Sequence, residues 1–151
     1  MSTGGKPEGR IPQQPSSIRV LLIDDEVGYV NVLANRLTRR GLVVEKATSG
    51  AEAIQTVRRR DFDVAILDLK MEDMDGIEVL RILKQMDQRM EVIMLTGHGS
   101  QTAAREGVKF GAFDYLIKPC ELENLLEKIV QAYRARQAKV PVVSSSIQDE
   151  I

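Results

Sequence analysis

Three observations predict a doubly wound α/β fold built on a parallel sheet. Five short apolar runs punctuate the chain, at residues 18–23, 42–47, 64–67, 91–95 and 113–117. Helical periodicity fills the segments between them. The alternation is strict and the connections are short, which favours parallel strands with helices on both faces of the sheet.

Each element has its own warrant. Several of the apolar runs are rich in Val and Ile, as strands buried on both faces should be. After the first run, Val30, Leu33, Ala34 and Leu37 recur at i, i+3, i+4 and i+7, and Gly41 ends that helix. Ala53, Ile54 and Val57 mark a second helix, which opens near Ser49 or Gly50 and closes in the exposed run Arg58-Arg59-Arg60. Ile77, Leu80, Leu83 and Met86 mark a third. Residues 101–110 give a fourth, short and Ala-rich, and weakened by Gly107. Leu122, Leu125, Leu126, Ile129, Val130 and Tyr133 form a long stripe on the fifth. Residues 1–17 are rich in Gly, Pro, Ser and Gln and read as a flexible arm. Residues 138–151, with Pro141 and Ser144-Ser145-Ser146, read as a flexible tail, leaving 18–137 as the folded domain.

Composition narrows the function. A chain of 151 residues, 43% apolar and 28% charged, suits one soluble domain with a real core. A net charge of −1 supplies no global positive field, so direct nucleic-acid binding is not expected. No apolar run approaches the roughly 20 residues that cross a bilayer, and the N-terminus has no apolar h-region. Cys120, the single cysteine, cannot form an internal disulfide, which agrees with a cytoplasmic location. It reads as an unreactive small residue at a helix start.

The chemistry lies at the strand ends, because open parallel sheets bind ligands at the carboxyl ends of their strands. The first run ends in Asp24-Asp25, the third in Asp68, the fourth in Thr96 and the fifth in Lys118-Pro119. Three carboxylates at one edge repel one another unless a cation intervenes, and a hard divalent ion such as Mg²⁺ suits an oxygen donor set. Mg²⁺ held there can also neutralise an incoming phosphoryl group. Asp68 would then act as a nucleophile forming an acyl phosphate, with Lys118 as a point charge and Thr96 as a donor to a phosphoryl oxygen. Separately, the acidic pair reads as a solvated loop or helix cap, Thr96 as a turn cap and Lys118 as an exposed strand-end charge. Together, at one sheet edge, they call for a common cause.

The segments VLLIDDE (20–26), DVAILDLKMEDMDGIEVL (63–80), VIMLTGHG (92–99) and GAFDYLIKP (111–119) resemble the signature blocks of bacterial two-component response-regulator receiver domains, across about residues 18–137. The resemblance implies a flavodoxin-like (βα)5 fold with strand order 2-1-3-4-5. It implies that Asp68 is the phosphoacceptor, charged by a sensor histidine kinase or a phosphotransfer protein. Asp25 would be a direct Mg²⁺ ligand, Asp24 a ligand directly or through water, and the Lys70 backbone carbonyl the third. Thr96 and Lys118 would read the phosphoryl group, Tyr115 would hold the aromatic switch position, and Lys118–Pro119 would be cis. Such a domain is not an enzyme beyond its own phosphotransfer and autodephosphorylation. Its downstream partner would dock on the fourth helix, fifth strand and fifth helix, where a homodimer is also open.

Two departures stand out. Glu72 occupies a position where many receivers have proline, so the loop after Asp68 is expected to be looser or differently shaped. Lys70 and His98 flank the site at variable positions and leave the dephosphorylation rate open. No helix-turn-helix or ATPase motif follows the fifth helix, so the chain reads as a single-domain regulator. It also reads as a piece of a larger one, since GAFDYLIKP resembles receivers that precede ATPase modules. Rival readings are a flavin carrier of the same fold, a phosphatase of the haloacid-dehalogenase type and a binding domain with a dead site. The first would need a Gly-, Ser- and Thr-rich loop where Asp24-Asp25-Glu26 stands, and the second two aspartates separated by one residue, whereas Asp24 and Asp25 are adjacent.

Overall fold

The computed structural model describes residues 17–139. It contains β1 (Arg19–Ile23), α1 (Val27–Arg39), β2 (Val43–Ala47), α2 (Gly50–Arg59) and β3 (Val64–Leu67). These are followed by α3 (Gly76–Met86), β4 (Glu91–Thr96), α4 (Gln101–Lys109), β5 (Asp114–Ile117) and α5 (Leu122–Gln137). The five strands form one parallel sheet in the order β2-β1-β3-β4-β5. This is the flavodoxin-like fold expected from the sequence.

Side chains of a strand point alternately to opposite faces, so each central strand feeds two cores. Val20, Leu22, Val64, Ile66, Ile93 and Leu95 enter one, with α1 and α5 packed over them. Leu21, Ile23, Ala65, Leu67, Val92 and Met94 enter the other, under α2, α3 and α4. That double burial explains why β1, β3 and β4 read as continuous apolar runs.

Some boundaries and burials differ from the sequence reading. The edge strands β2 and β5 are only partly buried, because each pairs on one side alone. Helix α1 opens at Val27, a turn before the apolar stripe, since Val27 and Gly28 are exposed and leave no periodic trace. It closes where expected: Gly41 has φ +96°, and Leu42 N–H donates to Leu37 O at 3.3 Å. Strand β4 runs one residue further, through Thr96. Gly107 stands where α4 packs closely on β4, since a Cβ there would lie 2.4 Å from Met94 Sδ. The arm assigned to 1–17 and the tail assigned to 138–151 lie outside the described residues, except for Ser17, Ala138 and Lys139. No described helix is long and apolar enough to cross a membrane.

Candidate functional site

From β1 the chain winds to β2 on one side, while β3 and its successors add on the other, so a crevice opens at the carboxyl ends of β1 and β3. The ladder continues one residue beyond the strands and fixes what projects there. Asp24 N–H donates to Ala47 O at 3.1 Å, Asp68 N–H to Ile23 O at 3.0 Å and Lys118 N–H to Thr96 O at 2.7 Å. Asp24, Asp68 and Thr96 are buried, whereas Asp25 and Lys118 are half-buried at the rim.

All five strand-end residues meet. Asp24, Asp25 and Asp68 each place a carboxylate oxygen within 4.8 Å of the others. The Thr96 hydroxyl donates to Asp68 Oδ1 at 2.8 Å. Lys118 Nζ donates to Asp24 Oδ2 at 2.8 Å and stands 3.4 Å from Asp68 Oδ2 and 3.5 Å from Glu26 Oε1. The same ammonium lies 4.3 Å from the centroid of the Tyr29 ring. The Lys118–Pro119 peptide is cis.

The electrostatics follow from this crowding. Burial pushes the Asp24 carboxyl above its ordinary range, and repulsion from Asp68 adds to it, against the bonds from Lys118 and the Glu26 amide. Burial alone would lower the Lys118 pKa. The hydrogen bond to Asp24 and the charges of Asp24 and Asp68 outweigh it and raise that pKa above the usual lysine range. One ammonium thus faces three clustered carboxylates, an oxygen-rich set short of positive charge, which fits a hard divalent cation such as Mg²⁺.

The loop after β3 is tied at several points. Lys70 N–H lies 3.3 Å from Asp68 Oδ1, and Glu72 N–H donates to Asp25 Oδ2 at 3.0 Å. A proline in place of Glu72 would have no N–H to give. Lys70 also pairs with Asp75 in an isolated antiparallel bridge. Asp73 accepts from Gly50 N–H and Ala51 N–H, each at 3.0 Å, joining the loop to α2.

The remaining residues fall around this centre. Tyr115 is half-buried on β5 and packs against the core under α2, α3 and α4. His98 is exposed, and Lys70 Nζ reaches the same loop, 3.4 Å from where a Cβ on Gly99 would stand. Cys120 is half-buried with its thiol pushed up by burial, in keeping with an unreactive residue. Sequence reasoning missed Glu26, Tyr29 and Asp73. Glu26 sits inside the block that ends β1 and could have been read there; Tyr29 and Asp73 carry no local signal.

The response regulator receiver domain profile matches residues 20–130. The chain is 36% identical over 133 residues to the transcriptional regulatory protein ZraR of Escherichia coli O157:H7, covering 86% of this chain and 30% of that protein. It is 34% identical over 112 residues to the acid tolerance regulatory protein ActR of Rhizobium meliloti (strain 1021), covering 74% of this chain and 58% of the relative. Among solved structures, a CheY-like response regulator receiver domain protein from Methanospirillum hungatei JF-1 superposes with a TM-score of 0.76 at 30% identity, covering 81% of this chain and 98% of the other. A response regulator receiver domain protein from Clostridium thermocellum gives 0.75 at 34% identity, covering 80% and 97%.

Proposed function

The chain belongs to the response regulator receiver domain family, and we propose that within it Asp68 accepts a phosphoryl group while the other strand-end residues sense its arrival. The observation that carries this reading is the surround of Asp68: a hydroxyl on one oxygen, an ammonium near the other, and two further carboxylates within 4.8 Å.

A sensor histidine kinase or phosphotransfer protein presents phosphohistidine. An Asp68 carboxylate oxygen attacks phosphorus in line, the P–N bond breaks, and its electron pair returns to the imidazole. Asp24, Asp25, Asp68 and the Lys70 carbonyl would hold Mg²⁺, which supplies positive charge against the phosphoryl oxygens when bound. Lys118, released from part of its bond to Asp24, turns its ammonium to the new dianion. Thr96 turns its hydroxyl from Asp68 Oδ1 to a phosphoryl oxygen. That movement frees space for Tyr115 to rotate inward, which biases α4 and its neighbours between two states separated by a few kcal/mol.

The reading extends to context. The chain catalyses only its own phosphotransfer and autodephosphorylation, acts in the cytoplasm as residues 18–137 between an arm and a tail, and signals through α4, β5 and α5. It spans 30% of the length of ZraR, so it works either alone or as the receiver of a longer regulator. The test is intact-protein mass after incubation with acetyl phosphate, with and without Mg²⁺, on wild type and Asp68→Ala. One phosphoryl adduct that requires Mg²⁺ and disappears in the variant is the expected result. Absence of both an adduct and beryllofluoride binding would favour the dead-site alternative.

A further inference from the structure

We propose that Asp73, exposed and outside the cluster, is a positioning residue for the metal and phosphoryl site: its carboxylate holds the loop carrying Lys70 in place by gripping the N-terminus of α2. The inference rests on the phosphoacceptor reading and deepens it.

Residues 68–75 connect β3 to α3 and bring the Lys70 backbone beside the aspartates. Two of this loop's polar bonds end on the site itself, from Lys70 N–H to Asp68 and from Glu72 N–H to Asp25. Those bonds use carboxylate oxygens that a bound cation would also draw on, so they cannot set the loop independently of the ligand. Among the described residues, Asp73 is the one side chain of the loop hydrogen-bonded to an element outside the site. Both of its oxygens are used, at 3.0 Å to Gly50 N–H and 3.0 Å to Ala51 N–H.

The grip has a physical reason. A helix begins with amides that have no intrahelical partner and with the positive end of its dipole. Asp73 answers both with a full negative charge, and those two amides hold its carboxyl below the ordinary aspartate range. Ser49 completes the cap by accepting from Glu52 N–H at 3.0 Å, and Glu52 Oε1 accepts from Thr48 N–H at 2.7 Å. The helix is itself seated: a Cβ on Gly50 would lie 2.9 Å from Val79 Cγ2 and 3.0 Å from Met74 Sδ, so its first turn presses directly on the loop and α3. Asp73 therefore ties the loop to a fixed post. With Glu72 where a proline would stiffen the chain, this contact supplies the rigidity by another route.

The experiment compares wild type, Asp73→Ala, Asp73→Asn and Ser49→Ala. For each, the Mg²⁺ concentration that half-saturates acetyl-phosphate labelling of Asp68 is read by intact mass, and Mg²⁺ binding is read separately by calorimetry. Partners that orient metal ligands are typically worth about 10–100-fold in affinity. Asp73→Ala should raise the half-saturating Mg²⁺ about tenfold, and Asp73→Asn, which keeps one acceptor, should fall between it and wild type. Ser49→Ala also strips a cap from α2 but leaves the loop bond intact, so it should match wild type. Equal Mg²⁺ requirements in Asp73→Ala and wild type, or an equal rise in Ser49→Ala, would overturn the positioning role. If wild type takes neither Mg²⁺ nor phosphoryl group, the functional reading falls and this inference falls with it.

Discussion

Removing one carboxylate from the cluster should make the protein more stable without metal and less stable with it. Asp25 is the informative position. It is half-buried, makes no ion pair among the described residues, and accepts one hydrogen bond, from Glu72 N–H at 3.0 Å. The Asp25→Asn side chain keeps an oxygen for that bond and loses only the charge. Asp25 lies within 4.8 Å of Asp24 and Asp68. At that separation two unit charges repel by about 3.5 kcal/mol at an effective dielectric near 20 and by about 0.9 kcal/mol in bulk water. Solvent reaches Asp25, and Lys118 offsets part of the neighbouring charge, so the relief should be about 1 kcal/mol, towards the lower figure. For a domain of this size that is a rise in Tm of about 3 °C in the presence of a chelator. Added Mg²⁺ at ten times its Kd should stabilise wild type by about 1.4 kcal/mol and do little for the variant. The two melting curves should therefore exchange order between chelator and Mg²⁺. Differential scanning calorimetry in matched ionic strength reads this directly. A variant less stable than wild type in chelator, or one that gains as much from Mg²⁺, would refute the reasoning that these carboxylates are strained against one another and relieved by a cation.

Two further outcomes follow from the packing. Gly76→Ala should be far more damaging than Gly107→Ala, because a Cβ at Gly76 would meet Leu69 Cα at 2.4 Å and Leu69 O at 2.6 Å, backbone that cannot swing aside. At Gly107 it would meet the mobile end of Met94, so urea denaturation should show a loss of about 3 kcal/mol for the first and about 1 kcal/mol for the second; equal losses would count against the close loop–helix contact. Tyr115→Ala should leave acetyl-phosphate labelling of Asp68 intact but abolish the change in amide exchange over α4 when beryllofluoride is added; a response like that of wild type would remove Tyr115 from the switch.

What the sequence displayed and what it concealed have the same cause. Asp24, Asp25, Asp68, Thr96 and Lys118 were legible because a buried parallel strand announces itself as an apolar run, and the residue that ends the run must emerge at the ligand edge. The central strands β1, β3 and β4 were legible for the same reason. The edge strand β2 was less so: Val43 is 55% exposed, yet its letter is the same as that of a core valine. The opening of α1 was hidden because its first residues face solvent. Asp73 was hidden because its partners Gly50 and Ala51 lie more than twenty residues away, and no local pattern encodes a contact between a loop and a distant helix start.

That division bears on the loop after Asp68. The replacement of proline by Glu72 is a local fact, and local reasoning treats it as lost stiffness. In three dimensions the Glu72 amide serves Asp25, while the next residue, Asp73, accepts from the first amides of α2. The cluster thus receives contacts from outside, the Glu72 amide on Asp25 and the Lys118 ammonium on Asp24, while it crowds three carboxylates within 4.8 Å. Lys118 is the counterion inside the cluster, and under the proposed function its bond to Asp24 is what would loosen for the ammonium to reach a phosphoryl oxygen. Like charges crowded in one place are a poor way to stabilise a fold and, under the proposed function, a good way to make it respond to one cation and one phosphoryl group.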